Sequence, residues 1–207
     1  MNMKKLKKEL KFIHITKTAG SFIENIGEKN NLEWGRFHKE YSFWHNPFQD
    51  IDENVKEKYD WFVVVRNPYE RILSEYYCSY GGIGKLENKE KINHSKTEFN
   101  EYLIKKIKLR NTISDFSEKG HYLEQYRYID NRYTINILKF ENLNKDLQLL
   151  FNKYDLDIDV NKYNKVNTKL NRNDNIPFSV KDFNKELIEL IKEVYHKDFI
   201  SFGYDKN

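Results

Sequence analysis

Lys11-Phe12-Ile13-His14-Ile15-Thr16-Lys17-Thr18-Ala19-Gly20-Ser21-Phe22-Ile23-Glu24 is the stretch that decides the fold. Phe12, Ile13 and Ile15 form a short apolar run of the residue types that suit a pleated, buried strand. Small residues then break the run, and Phe22, Ile23 and Ile26 resume it at helical spacing. Strand, tight loop and helix in that order aim a row of unpaired backbone N–H groups at one point. That point lies at the positive end of the helix dipole and suits a phosphate. Ala19, Gly20 and Ser21 keep bulk away from an anion, Thr18 and Ser21 add hydroxyls, and Lys17 adds a charge. The lysine precedes the glycine, so the GxxxxGK[ST] spacing of a Walker loop is absent. An ordinary βα turn with a solvated lysine fits the same residues about as well.

The second informative stretch runs from Trp61 to Tyr77. Trp61-Phe62-Val63-Val64-Val65 lacks alternation, as expected of a strand buried on both faces of a parallel sheet. Arg66 follows at its carboxyl end, where open α/β sheets bind ligands. Pro68 then starts a helix that carries Ser74 two turns on. A guanidinium fixed at a strand end, with a hydroxyl on the next helix, can grip a phosphate through charge-assisted hydrogen bonds. Pairing of Arg66 with a nearby carboxylate is the plainer alternative.

The rest of the chain bounds these readings. With 207 residues, 39% of them hydrophobic, it can bury the core of one domain spanning 1–207, in which 15 Tyr and 14 Phe carry much of the packing. The net charge of +4 is spread over interspersed Lys and Glu rather than a stripe, which argues against a nucleic-acid partner. Cys78 is the sole cysteine, which excludes an internal disulfide and any CxxC metal site, and with no clustered carboxylate or Cys/His motif in the sequence no metal is expected. No apolar run approaches the ~20 residues of a membrane span. The basic stretch Met1 to Leu10 lacks a following apolar segment, so a cytoplasmic protein is expected. In chain order the pattern predicts a strand over Leu32 to Phe37 and a helix from Asn46-Pro47 to about Lys58. It further predicts a helix over Phe99 to Arg110, a strand over Tyr133 to Phe140, and a last helix from Val180 to His196 capped by Ser179.

Taken together, the two stretches resemble the sulfotransferase superfamily that uses 3′-phosphoadenosine 5′-phosphosulfate (PAPS). The closer resemblance is to its carbohydrate-type branch, whose first motif reads H-I-P-K-T-[AG]-G-[TS]-[ST]. His14 to Phe22 matches it, with Thr16 for the usual proline and Phe22 for a small polar residue. Arg66 to Ser74 matches the second motif, R-N-P-[YW]-[DE]-R-x-x-S, without a gap. Downstream, His121 to Tyr126 looks like the family's segment with a glutamine near the active cleft, here Gln125. Lys139 to Leu147 is similar to its strand-to-helix corner. Asn167 to Arg172 resembles a loop that closes over the nucleotide, and Asp198 to Tyr204 resembles the family's D-[FY]-x-x-[FL]-G-Y terminus.

The resemblance implies a three-layer α/β/α domain with a mostly parallel sheet, Phe12 to Thr16 and Trp61 to Val65 being central strands. It implies that Lys17, Thr18, Ala19, Gly20, Ser21 and Phe22 hold the 5′-phosphosulfate of PAPS. Arg66 and Ser74 would hold the 3′-phosphate, with Lys169 and Arg172 closing over the nucleotide. His14 and Gln125 would face the acceptor, a saccharide hydroxyl. The acceptor's proton needs a base, and an ordinary imidazole pKa near ~6.5 suits that task. Related enzymes use a histidine or glutamate after the second strand. His45 is the first candidate, because Trp44-His45-Asn46-Pro47 resembles a W-H-x-P segment of some members, with His38 the second and Glu40 the third. Either histidine could instead be a local hydrogen-bonding residue. Two other classes stay open: a protein that binds PAPS or 3′,5′-ADP without turnover, and a P-loop-like kinase. The misplaced lysine and missing magnesium ligands argue against the kinase.

Overall fold

Leu10–Ile13 forms β1 and Asp60–Val65 forms β2 in the computed structural model, which describes residues 7–38, 45–78, 80, 82–83, 94–112, 120–163 and 178–206. The two strands pair in parallel, with Phe12 opposite Phe62 and Ile13 opposite Val63. On its other side β2 pairs in parallel with β3 (Ile135–Lys139), Val63 opposite Ile137 and Val65 opposite Lys139. Every residue from Trp61 to Val65 is fully buried, as its unbroken apolar run requires. The strand order β1-β2-β3 makes β2 central and β1 an edge of this sheet, not a central strand. β1 also lies earlier than expected. Ile15 is buried without being part of the ladder, and the chain is already turning at Thr16.

The helices among the described residues are α1 (Gly20–Lys29), α2 (Glu53–Lys58), α3 (Pro68–Tyr76), α4 (Lys96–Leu109), α5 (Leu143–Lys153), α6 (Lys185–Val194) and α7 (His196–Phe202). The contacts divide the chain into two compact units, Met1–Val65 with Arg127–Val166, and Arg66–Tyr126 with Asn167–Asn207. No helix among the described residues is long and apolar enough to cross a membrane.

The first unit holds the sheet. Phe12, Phe62 and Val64 pack with Phe22, Ile23 and Ile26 of α1 and with Leu147 and Phe151 of α5. Trp34 joins this core, its ring 5.1 Å from that of Phe62, and its Nε1 donates to the Leu10 carbonyl at 2.8 Å. That inward turn replaces the strand expected over Leu32 to Phe37. Gly35 has φ 57°, and Gly35–Phe37 is a 3₁₀ turn. A β carbon at Gly35 would lie 2.3 Å from Glu24 Oε1, so only glycine fits there. The helix expected from Asn46-Pro47 to Lys58 is also divided. Phe48–Asp50 is a 3₁₀ turn, and α2 restarts where Asp52 accepts from the Asn54 N–H at 2.8 Å.

The second unit is helical, with Ile72 and Tyr76 of α3, Phe99 and Leu103 of α4, and Leu187 and Ile191 of α6 around Tyr122 and Tyr195. Asn67 caps α3 by accepting from Tyr69 N–H at 3.0 Å, ahead of Pro68. The expected Phe99–Arg110 helix starts earlier, at Lys96, because Ser95 and Glu98 form a capping box. The expected Val180–His196 helix is three pieces. Val180–Asp182 is a 3₁₀ turn, Asn184 caps α6 by accepting from Leu187 N–H at 2.8 Å, and Tyr195 separates α6 from α7.

Candidate functional site

The loop between β1 and α1 puts two residues that carry a β carbon into the left-handed region, Lys17 at φ 62° and Ala19 at φ 74°. Such alternation turns successive backbone N–H groups toward one side and makes a concavity suited to an anion. Gly20 and Ser21 open the helix behind it. Two members of the expected set are engaged elsewhere. Thr18 is buried and its hydroxyl donates to the Ile15 carbonyl at 2.8 Å, so it braces the turn from inside. Phe22 sends its ring into the core, and its N–H donates to the Ala19 carbonyl at 3.0 Å. Its bulk, unlike a small polar residue at this position, serves packing. Of the expected set, that leaves Lys17, Ser21 and the backbone from Lys17 to Ser21 as the candidates for holding an anion.

Beneath the loop lies a pair not foreseen from sequence. His14 Nδ1 is 2.8 Å from Glu24 Oε1, with both side chains buried. A carboxylate at that nitrogen fixes the orientation of the ring. Nε2 lies against Gly20, where a β carbon would approach it to 1.8 Å. Glu24 also accepts from the Arg36 N–H at 2.9 Å, and Arg36 Nε stands 3.4 Å from its second oxygen. His14, expected to face the acceptor, is thus held by Glu24 and packed as a prop against the loop at Gly20.

The two histidines proposed as base occupy different surroundings. The ring of His45 meets that of His14 edge-on at 4.7 Å between centroids, and Tyr128 Oη donates to the His45 carbonyl at 2.9 Å. His38 stacks on Trp61 at 5.9 Å and meets Tyr59 edge-on at 5.4 Å. Tyr59 precedes β2 and Trp61 is at its start, whereas the Lys17 to Ser21 loop follows the carboxyl end of β1. His38 is thus packed toward the amino end of β2. Glu40, the third candidate, and Lys169 and Arg172 lie outside the described residues.

In the second unit, Arg66 is the first residue after β2, and its side chain is 17% exposed. Its Nη2 is 3.5 Å from Glu70 Oε2. Residues 66, 70 and 74 follow at four-residue spacing, which puts Glu70 and Ser74 on one face of α3. The Arg66 backbone is gripped by one side chain. Gln125 Oε1 accepts from Arg66 N–H at 2.9 Å, and Gln125 Nε2 donates to the Arg66 carbonyl at 2.9 Å. Gln125, expected to face the acceptor, is fully buried with its amide committed to the Arg66 backbone. Asp198, also fully buried, accepts from Gln125 N–H at 2.8 Å and Tyr126 N–H at 2.9 Å. Burial raises the Asp198 pKa to about 6, against those hydrogen bonds and the Arg71 charge, which favour the ionised form.

One cluster that sequence spacing could not reveal is Glu75, Cys78 and His121, whose buried ligand atoms lie within 4.8 Å of one another. His121 Nδ1 is 2.6 Å from Glu75 Oε2, and Arg71 Nη2 stands 3.6 Å from Glu75 Oε1. A cation there would have to displace a proton and sit beside a buried guanidinium. The arrangement reads as an internal ion-pair network tying α3 to the segment before Gln125.

A family model described as "Sulfotransferase family" matches residues 2–205. No curated protein and no solved structure matches the chain.

Proposed function

Because the chain belongs to the sulfotransferase family over residues 2–205, we propose that it moves the sulfuryl group of PAPS to an acceptor hydroxyl and releases 3′,5′-ADP. The acceptor class is a saccharide, following the resemblance of His14 to Phe22 to the carbohydrate-type branch. The three-layer arrangement of the fold belongs to the same reading. The observation that carries the donor assignment is the Lys17 to Ser21 turn, with left-handed Lys17 and Ala19 in front of α1. Its backbone N–H groups and Lys17 meet the 5′-phosphosulfate and the charge that develops on the leaving phosphate. Arg66 and Ser74 take the 3′-phosphate, the guanidinium by a charge-assisted fork.

The acceptor oxygen attacks sulfur in line, the S–O bond to the 5′-phosphate breaks, and the acceptor's proton passes to His45 Nδ1 or Nε2. The contact of His45 with the Glu24-held ring of His14 supports this choice over His38. Turnover of labelled PAPS with glycans, peptides and small hydroxyl compounds tests the reading. Transfer to a saccharide is the expected outcome. Binding of 3′,5′-ADP with no transfer to any of them would move the protein to the class that holds the nucleotide without turnover.

A further inference from the structure

We infer that Gln125 and Asp198 are positioning residues that set how well the chain recognises a 3′-phosphate, by holding the backbone of Arg66. The inference rests on the nucleotide reading above and extends it to two fully buried residues. Gln125 spans both polar groups of Arg66, N–H and C=O, at 2.9 Å each, as a neighbouring strand would. Arg66 is the first residue after β2, and this amide satisfies both of its backbone polar groups. Gln125 is then fixed in turn. Asp198 takes its backbone N–H at 2.8 Å, takes that of Tyr126 at 2.9 Å, and lies 3.4 Å from its Nε2. The Arg71 guanidinium, which donates to the Leu123 carbonyl at 2.7 Å, anchors the same segment two residues earlier.

The arrangement depends on which atoms carry protons. A carboxylate accepts all three N–H groups, whereas a protonated Asp198 turns one acceptor into a donor facing donors. The groups facing it are the Arg71 charge from α3, the Gln125 amide, the backbone N–H groups of Gln125 and Tyr126, and the Tyr195 hydroxyl. Arg110 and Glu124, paired at 2.8 Å, stand beside Tyr195, and the Lys197 ammonium lies over the Tyr126 ring at 4.7 Å. With Asp198 titrating near pH 6, the grip on Gln125 is complete above that value and weakens below it.

The test compares 3′,5′-ADP with ADP, which lacks the 3′-phosphate, on wild type, Gln125→Leu, Gln125→Glu and Asp198→Asn, by calorimetric titration from pH 5 to 8. The 3′-phosphate itself titrates near ~6, so differences between proteins are read, not the wild-type curve alone. Gln125→Leu is expected to weaken 3′,5′-ADP about tenfold and leave ADP unchanged, as loss of one charge-positioning contact implies. Gln125→Glu distinguishes positioning from packing. Its ionised carboxylate cannot donate to the Arg66 carbonyl, but the protonated acid can, so its affinity should rise toward pH 5 while that of wild type falls. Asp198→Asn should flatten the acid limb relative to wild type. A folded Gln125→Leu protein with unchanged preference for 3′,5′-ADP overturns the inference. If wild type itself fails to prefer 3′,5′-ADP, the nucleotide reading is what has failed. The grip is then judged by hydrogen exchange at the Arg66 amide: faster exchange in Gln125→Leu supports it, and an unchanged rate overturns it.

Discussion

The loop at Lys17 to Ser21 and the strand end at Arg66, the two anchors proposed for the nucleotide, are held by opposite means. The loop is braced by its neighbours in sequence: Thr18 bonds Ile15 three residues back, and Glu24, one turn into α1, holds His14 against Gly20. Arg66 is held by residues 59 and 132 positions further along the chain, Gln125 directly and Asp198 through it. Local bracing gives a rigid backbone cradle at little cost in loop closure, whereas distant bracing must wait for tertiary structure. The difference also separates two kinds of vulnerability. A change in the loop disturbs the donors themselves, while a change near Arg66 leaves the guanidinium in place and loosens its aim.

The sharpest way to break this contrast is to attack each anchor at its charged group. Lys17→Ala should lower turnover ~10²–10³-fold, the scale set by removing one donor to developing charge, with a smaller loss in 3′,5′-ADP affinity. Arg66→Ala should reverse that division, costing about 10–100-fold in 3′,5′-ADP affinity while ADP binds as before. Equal losses in both quantities from both variants would erase the distinction between a catalytic cradle and a recognition arginine. His45→Ala should retain 3′,5′-ADP affinity and lose turnover together with the acidic limb of its pH profile, which wild type and His38→Ala keep.

Bracing itself can be probed next. Gly20→Ala drives a β carbon into His14 Nε2 and should weaken 3′,5′-ADP; adding His14→Ala opens the space and should restore part of it. No recovery in the double variant would mean that His14 does not prop the loop. The smallest effect expected is a slope. The Asp198 pKa is raised from 3.8 to about 6 on folding, so the native state binds more protons between those values. Its contribution to stability is present below 3.8 and is lost as pH rises through about 6. Denaturant unfolding of wild type should therefore lose stability across that window relative to Asp198→Asn, although the grip on Gln125 needs the ionised form. Fold stability and site order here pull in opposite directions with pH.

What could be read from the sequence follows the same division. β2, the Pro68 start of α3 and the loop before α1 were legible because unbroken apolar runs, caps and small-residue breaks are local signals. The strand expected over Leu32 to Phe37 was not formed. Gly35 and the hydrogen bond from Trp34 to Leu10 make a turn there instead. The divided helices had their signals in plain view, in Asp52 and Asn184, but a cap in the middle of a periodic run competes with the periodicity. Glu24 carried no signal beyond its place in a helix. Gln125 was found by resemblance, but its hold on Arg66 was not, since nothing in its neighbours points there. Asp198 was seen only as part of an aromatic terminus.

The sheet's strand order has a consequence for how the protein is made. β1 can pair with β2 as soon as Val65 has been synthesised, but β3, the partner of the other edge, arrives about 70 residues later. At ~5–20 residues per second a nascent chain holds that edge open for several seconds. The strand left waiting is Trp61 to Val65, the most apolar in the sheet and one whose side chains find cover only in the finished fold. It is a ready template for a neighbouring chain on the same message. Slowing synthesis between residues 66 and 134 should therefore raise the aggregated fraction of newly made protein, and supplying residues 127–166 as a separate fragment during synthesis should lower it.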